Sequence, residues 1–202
     1  KMYCGFSDNT ALQNAIFTKT GLVTFSGPNF ASFANPKKYK YTLNNFLNMV
    51  CETGSQQIKN LDKLEVINKG KASGTIVGGN LCTLNLLQGT QYMPDIKDKI
   101  LFLEDDYVSN LDLLEFYRNL QSVISLPDFK KVRAVVFGKF QKESKISAST
   151  VKKIVKLKPE LADIPVIANF NFGHSYPMFT FPIGGKATID TSKANPLTLL
   201  AN

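Results

Sequence analysis

The chain has 202 residues, 44% of them apolar and 20% charged. That length suits one large domain or two small ones with a buried core, and the composition excludes a disordered or fibrous chain. Its 24 Lys and Arg against 16 Asp and Glu leave a net charge of +8, but the lysines fall in short runs at 37–40, 130–131 and 139–158. Only Arg118 and Arg133 are arginines, the residue that does most base reading, so the charge reads as a solvated face and no nucleic-acid partner is expected.

The longest apolar stretch, around residues 74–89, is interrupted by Asn80, Asn85 and Gln88 and falls short of the roughly 18 apolar residues a spanning helix needs, so no membrane role is expected. Cys4, Cys51 and Cys82 are too few and scattered for a disulfide framework, and one histidine makes no zinc pattern. A reducing compartment fits this usage. The sequence starts at Lys1 and shows no charged n-region, apolar h-region or cleavage box, so no secretory signal is expected within it.

In chain order, residues 1–5 read as the end of a buried strand. Residues 8–18 read as a helix whose apolar face is Ala11, Leu12, Ala15 and Ile16. Ser7 therefore lies at a strand-to-helix turn. A strand at 23–25, a Gly27-Pro28 turn and a helix over 43–51 follow. The polar stretch 52–74, with a short apolar strand at 64–67, reads as a linker. The expected organisation is the remainder of an N-terminal nucleophile-bearing α/β domain (1–50), a linker (51–75) and a C-terminal mixed α/β domain (76–202). In the latter, Gly78-Gly79-Asn80 opens a helix over 81–88, and a strand at 99–103 ends in Glu104-Asp105-Asp106. A helix over 110–122, with Leu111, Leu114, Phe116 and Leu120 apolar, precedes a β-branched strand at 131–138. A helix at 150–156, a strand at 164–169 and a hairpin of 178–183 with 186–189, turned at Gly184-Gly185, complete the pattern. Strands alternating with helices predict an α/β fold.

Several groups could carry chemistry. Ser7, in Gly5-Phe6-Ser7-Asp8, sits where a turn can hold Oγ clear of the sheet and aim helix N–H groups at an oxyanion. Asn9 breaks the full Gly-x-Ser-x-Gly pattern, and the plainer reading is that Ser7 or Asp8 caps the helix. His174 is the only histidine, so an imidazole base must be this one. Its loop, bounded by Gly173 and Pro177, follows a strand, where functional residues concentrate. Glu104 ends an apolar strand and could orient an imidazole, or simply belong to an acidic loop capping the next helix. A chain without Trp gives a two-carboxylate glycosidase no support. Asn80 could offer its amide at a helix start. Neither a phosphate loop nor a dinucleotide fingerprint occurs, and no cofactor is expected.

Together these segments resemble the LD-carboxypeptidase family of serine peptidases, which includes muramoyltetrapeptide carboxypeptidases and microcin C immunity peptidases. The matching stretches are Gly5-Phe6-Ser7-Asp8-Asn9-Thr10-Ala11-Leu12, Gly78-Gly79-Asn80-Leu81 with Leu87-Gln88-Gly89-Thr90, Ile100-Leu101-Phe102-Leu103-Glu104-Asp105, and Phe172-Gly173-His174-Ser175-Tyr176-Pro177-Met178 followed by Pro182-Ile183-Gly184. They stand in family order and span nearly the whole chain. The resemblance implies Ser7 as nucleophile, His174 as general base and acid, Glu104 as the group orienting the imidazole, and the Asp8 N–H as one oxyanion donor. It also implies a further N-terminal part before the serine turn, carrying a second donor. The expected partner is a small peptide; members of the family are generally cytoplasmic and often homodimers, and the place of Asn80 at a helix start beside two glycines makes it the expected substrate contact. Murein tetrapeptide, cut at the bond to its terminal D-alanine, is the first expected substrate. A peptidyl-nucleotide is the second, disfavoured because residues 52–74 hold no aromatic side chain. A non-catalytic ligand-binding homologue is the third reading.

Overall fold

The computed structural model describes residues 2–107 and 112–201. In chain order its elements are β1 (Cys4–Gly5), α1 (Asn9–Thr20), β2 (Thr24–Ser26), α2 (Lys40–Cys51), β3 (Gln56–Gln57), β4 (Glu65–Asn68), β5 (Lys71–Asn80) and α3 (Leu81–Asn85). These are followed by β6 (Lys99–Glu104), α4 (Asp112–Ile124), β7 (Ala134–Gly138), α5 (Ala148–Lys156), β8 (Val166–Phe170), β9 (Phe181–Ile183), β10 (Lys186–Asp190) and β11 (Leu197–Leu199). The fold is mixed α/β on two sheets. A three-stranded sheet runs β1-β2-β9, and an eight-stranded sheet runs β3-β11-β10-β5-β6-β7-β8-β4.

The four central strands β5, β6, β7 and β8 are parallel, and antiparallel strands flank them on both sides. Such strands are covered on both faces, which is why β6 and β7 read as unbroken apolar runs. Alternation along β6 sends Leu101 and Leu103 to one face, against Phe116 and Leu120 of α4 and Val151 and Val155 of α5. It sends Ile100 and Phe102 to the other, into a cluster with Phe172, Phe179 and Phe181. Register aligns the carboxyl ends: Asn80 lies opposite Glu104, and Gly138 opposite Phe170. The loops that leave this edge are where open α/β sheets build sites.

The structure departs from the sequence reading in four places. The segment expected as a linker supplies β3, β4 and the first part of β5 to the large sheet. Its polarity reflects position, because β3 and β4 are the two outermost strands and keep half-exposed residues. The expected hairpin is absent: β9 pairs with β2 in the small sheet, whereas β10 pairs with β5 and β11 in the large one. Gly184 and Gly185 carry the chain between the sheets, hydrogen-bonded to Ile76 at 2.8 Å each.

Third, Gly78 and Gly79 belong to β5 rather than to a helix start; only Asn80 caps α3. Gly79 has a φ of +126°, and a Cβ there would lie 2.4 Å from Thr10 Oγ1, so α1 packs directly on strand backbone. Finally, α1 turns the face opposite to the one expected. Its buried residues are Thr10, Gln13 and Asn14, while Leu12 is 55% exposed. Hydrogen bonds account for this. Asn14 Nδ2 donates to the carbonyls of Thr10 and Gly78, both at 2.8 Å, and its Oδ1 accepts from Gly78 N–H at 3.2 Å. Gln13 Nε2 donates to the carbonyls of Gly5 and Phe25. The helix expected to start at residue 110 is seen from Asp112, and Asn110 and Leu111 lie outside the described residues.

Candidate active site

Ser7 leaves β1 with a φ of 60°, a left-handed conformation that costs a non-glycine residue roughly 1–3 kcal/mol. The turn is fixed from both sides. Asn9 donates from its backbone and side chain to the Phe6 carbonyl, each at 3.2 Å, and accepts from Tyr3 OH at 2.5 Å. Thr10 N–H donates to the Ser7 carbonyl at 2.8 Å. Asp8 stands at the N-cap of α1 but its side chain makes no capping bond. Its N–H belongs to the first turn, whose amides have no intrahelical acceptor. Ser7 Oγ points instead to His174 Nε2, 2.9 Å away.

His174 lies in the loop after β8. Its Nδ1 is 2.8 Å from Glu104 Oε2, and the same oxygen accepts the His174 backbone N–H at 3.2 Å. A carboxylate only accepts, so Nδ1 carries the ring proton and Nε2 is left to accept from Ser7. The edge of Phe6 packs on the imidazole at 5.2 Å between centroids. Glu104, at the end of β6, has a side chain 3% exposed, and that of His174 is 14% exposed. Room for the carboxylate comes from Gly173, where φ is +102° and a Cβ would fall 2.6 Å from Glu104 Oε2.

The electrostatics favour a charged imidazole. Burial pushes the His174 pKa down, but the Glu104 hydrogen bond and the negative charges of Glu104, Asp106 and Asp105 outweigh it, and the net shift is upward from 6.5. Asp105, next in sequence to Glu104, is pushed up to about 7 by burial first and by the Glu104 charge second. Asn119 Nδ2 and Asn80 Nδ2 approach its two oxygens at 3.4 Å.

Asn80 is 2% exposed and committed at both ends of its amide. Its Oδ1 accepts Thr83 N–H at 2.9 Å, and its Nδ2 donates to Asp106 at 3.1 Å. It thus ties the start of α3 to the acidic loop. Among the described residues no group of three or more His, Cys, Asp or Glu could hold a metal ion, and no helix is long and apolar enough to cross a membrane.

Sequence reasoning passed over the support of this site. Asn171, fully buried, and Asp62, in the segment read as a linker, brace the His174 loop. Tyr176, two residues beyond His174, hydrogen-bonds to Ser32 at 2.8 Å and packs on Tyr39 at 4.4 Å between centroids.

Serine, imidazole and carboxylate in one hydrogen-bonded line can perform acyl transfer. Comparison with known proteins gives the same direction. Residues 73–189 match the LD-carboxypeptidase C-terminal domain, and residues 1–27 match the LD-carboxypeptidase N-terminal domain. The Bacillus subtilis protein YocD, which carries a carboxypeptidase name, is 46% identical over 210 residues, covering 94% of this chain. The chain spans 64% of the length of that relative. An MccF-like protein of Bacillus anthracis is 44% identical with a TM-score of 0.92, and a muramoyltetrapeptide carboxypeptidase of Oxalobacter formigenes is 31% identical with a TM-score of 0.83. MccF in complex with glutamyl sulfamoyl guanosine is 27% identical with a TM-score of 0.79. Each of these three covers 100% of this chain, which in turn covers 68% of theirs. On this family match and structural likeness, the chain belongs to the LD-carboxypeptidase family.

Proposed function

We propose that the protein is a serine carboxypeptidase that hydrolyses the C-terminal bond of a small peptide, first of all the bond to D-alanine in murein tetrapeptide. The observation that carries this reading is the line Ser7 Oγ, His174 Nε2, His174 Nδ1, Glu104 Oε2, with steps of 2.9 and 2.8 Å at its two hydrogen bonds. Ser7 attacks the scissile carbonyl carbon while its proton passes to His174 Nε2. The developing oxyanion meets the Asp8 N–H at the start of α1. Collapse breaks the C–N bond, and the amine of the leaving residue takes the proton from His174. Water then attacks the acyl-serine ester, gives a proton to His174, and Ser7 recovers it as the peptide acid departs. Glu104 stays ionised throughout and stabilises the imidazolium. Asn80 would reach substrate by exchanging its Asp106 bond for one to the ligand.

A second reading has its own support. Aromatic side chains do stand between the serine and the glutamate, at Phe30, Phe33 and Tyr39, and Tyr39 packs on Tyr176 beside His174. A surface of this kind suits a planar group, as in a peptidyl-nucleotide. The experiment is incubation of the full-length protein with murein tetrapeptide and, separately, a peptidyl-nucleotide, with a Ser7→Ala sample beside each and mass spectrometry of the products. Loss of one alanine by the parent protein alone supports the first reading. Cleavage of the nucleotide conjugate alone moves the assignment to the second, and equal cleavage by Ser7→Ala rejects the mechanism.

A further inference from the structure

The loop that carries His174 is held by a polar clamp whose far end lies in residues 60–63. Asn171, three residues before the imidazole and fully buried, uses every polar group it has. Its N–H donates to Asn60 Oδ1 at 2.7 Å, its Oδ1 accepts Leu61 N–H at 2.6 Å, its Nδ2 donates to Asp62 Oδ2 at 2.7 Å, and its carbonyl accepts Phe179 N–H at 2.7 Å. Asn60 Nδ2 also donates to the carbonyl of Asn169, itself at a φ of +71°. Asp62 Oδ2 takes a second partner, Lys139 Nζ, at 2.7 Å. Lys139 in turn binds the loop through its backbone: its carbonyl accepts Ser175 Oγ at 3.1 Å, and its N–H donates to the Phe172 carbonyl at 3.1 Å. Asp62 thus holds residue 171 directly, while residues 172 and 175 are held by the backbone of Lys139, whose side chain ends on the same carboxylate.

We propose that Asp62, acting through Asn171 and Lys139, is a positioning residue for the His174 imidazole. Asp62 touches neither the ring nor Ser7. Its effect is geometric: Asn171 is buried with every polar group paired, so the loop there has one low-energy arrangement, which the half-exposed Asp62 carboxylate holds through the Asn171 amide and which sets the distance from Nδ1 to Glu104 on one side and from Nε2 to Ser7 on the other. The inference rests on the reading of His174 as the base.

His174 is the single histidine of these 202 residues, and a His174→Gln sample of the full-length protein identifies its ring C–H resonance in a proton NMR titration. The carboxylates facing the ring are Glu104, Asp105 and Asp106. Asp62 is not among them, so a change in the titration on altering Asp62 reads a displaced ring rather than a lost charge. In the full-length protein, Asp62→Ala is expected to lower kcat about 10- to 100-fold with KM within about twofold, the size of effect a displacement of roughly 1 Å produces. The His174 titration is expected to move down toward its ordinary range as the Glu104 bond lengthens. Lys139→Met, which keeps the Asp62 to Asn171 bond, is expected to move both readouts the same way by less. A folded Asp62→Ala protein with parental kcat and parental titration overturns the proposal. Should Asp62→Ala fail to fold, parental values in Lys139→Met overturn it. A Ser7→Ala control separates the two levels. If it is fully active the mechanism itself fails and the inference with it; if it is inactive while the Asp62 and Lys139 variants match the parent, the positioning role alone fails.

Discussion

Two attachments of helix to sheet in this molecule follow opposite rules. Helices α4 and α5 bury apolar side chains, Phe116, Leu120 and Val123 on one and Val151, Ile154 and Val155 on the other. Helix α1 buries Thr10, Gln13 and Asn14, each hydrogen-bonded to backbone of another element. Apolar burial is strong and non-directional, and it tolerates small sliding. Hydrogen bonds add less each but fix angle and register. The helix with the polar seat is the one that follows directly on the Ser7 turn, so the directional attachment stands where orientation decides reactivity.

The largest expected effect tests the chemical end of that contrast. Ser7→Ala should reduce kcat by about 10⁴-fold or more with an unchanged melting temperature, since among the described residues Ser7 Oγ bonds only to His174; a kinetic assay beside a thermal melt checks both halves. Phe116→Ala, on the apolar side, should cost about 3–5 kcal/mol of stability in urea unfolding while kcat per folded molecule stays parental. Asn14→Ala should cost less, about 1–3 kcal/mol, because it strands the Gly78 N–H and carbonyl, yet it should lower kcat as α1 loses its register. An Asn14→Leu protein with parental stability and parental kcat would break the contrast.

Part of this arrangement was legible in the sequence. Strands β6, β7 and β8 show as apolar, β-branched runs because both of their faces are covered. Glu104 and His174 stood out because one ends such a run and the other is the single imidazole. The polar face of α1 was hidden, since periodicity assumes that the buried side is the apolar one, and Leu12 and Ile16 gave the wrong side. Strand β4 showed as the short apolar run at 64–67, but β3 and the place of both strands in the large sheet were hidden, because outer strands carry Gln56, Glu65 and Asn68, whose partners lie about a hundred residues on or further. Asp62 and Asn171 were invisible for the same reason: their roles exist only in a long-range network.

A smaller effect concerns pH. The base must be neutral to accept the Ser7 proton, so kcat/KM should rise as pH passes through the folded pKa of His174, which lies above 6.5. Glu104→Gln removes the chief upward influence and should move that limb to lower pH. Stability runs the other way. A pKa raised by folding contributes stability that is complete below the unfolded value and is lost as pH rises through the folded one. For His174 that loss begins near 6.5, and for Asp105 it extends from the ordinary carboxylate range up to about 7. The proposed catalytic corner should therefore gain activity and lose stability as pH rises through the folded pKa values of Asp105, about 7, and His174, above 6.5, and Asp105→Asn should flatten the loss of stability in urea midpoints across that rise. The smallest effect is expected at the exposed pair of Lys152 with Glu65, which joins α5 to β4 at 2.7 Å. Lys152→Ala should change stability by less than about 1 kcal/mol, showing that α5 is held by its apolar face.

Ser7 and His174 reach each other from different sheets, 167 residues apart in the chain. Neither sheet can hold the reacting pair alone, so the chemistry reports whether the seam between them is closed. Warming that loosens the hydrogen-bonded seat of α1 should silence the proposed activity while the apolar body of the large sheet is still intact. Heat inactivation is then expected to begin below the temperature at which the bulk secondary structure melts, and to reverse on cooling as long as that body has not opened.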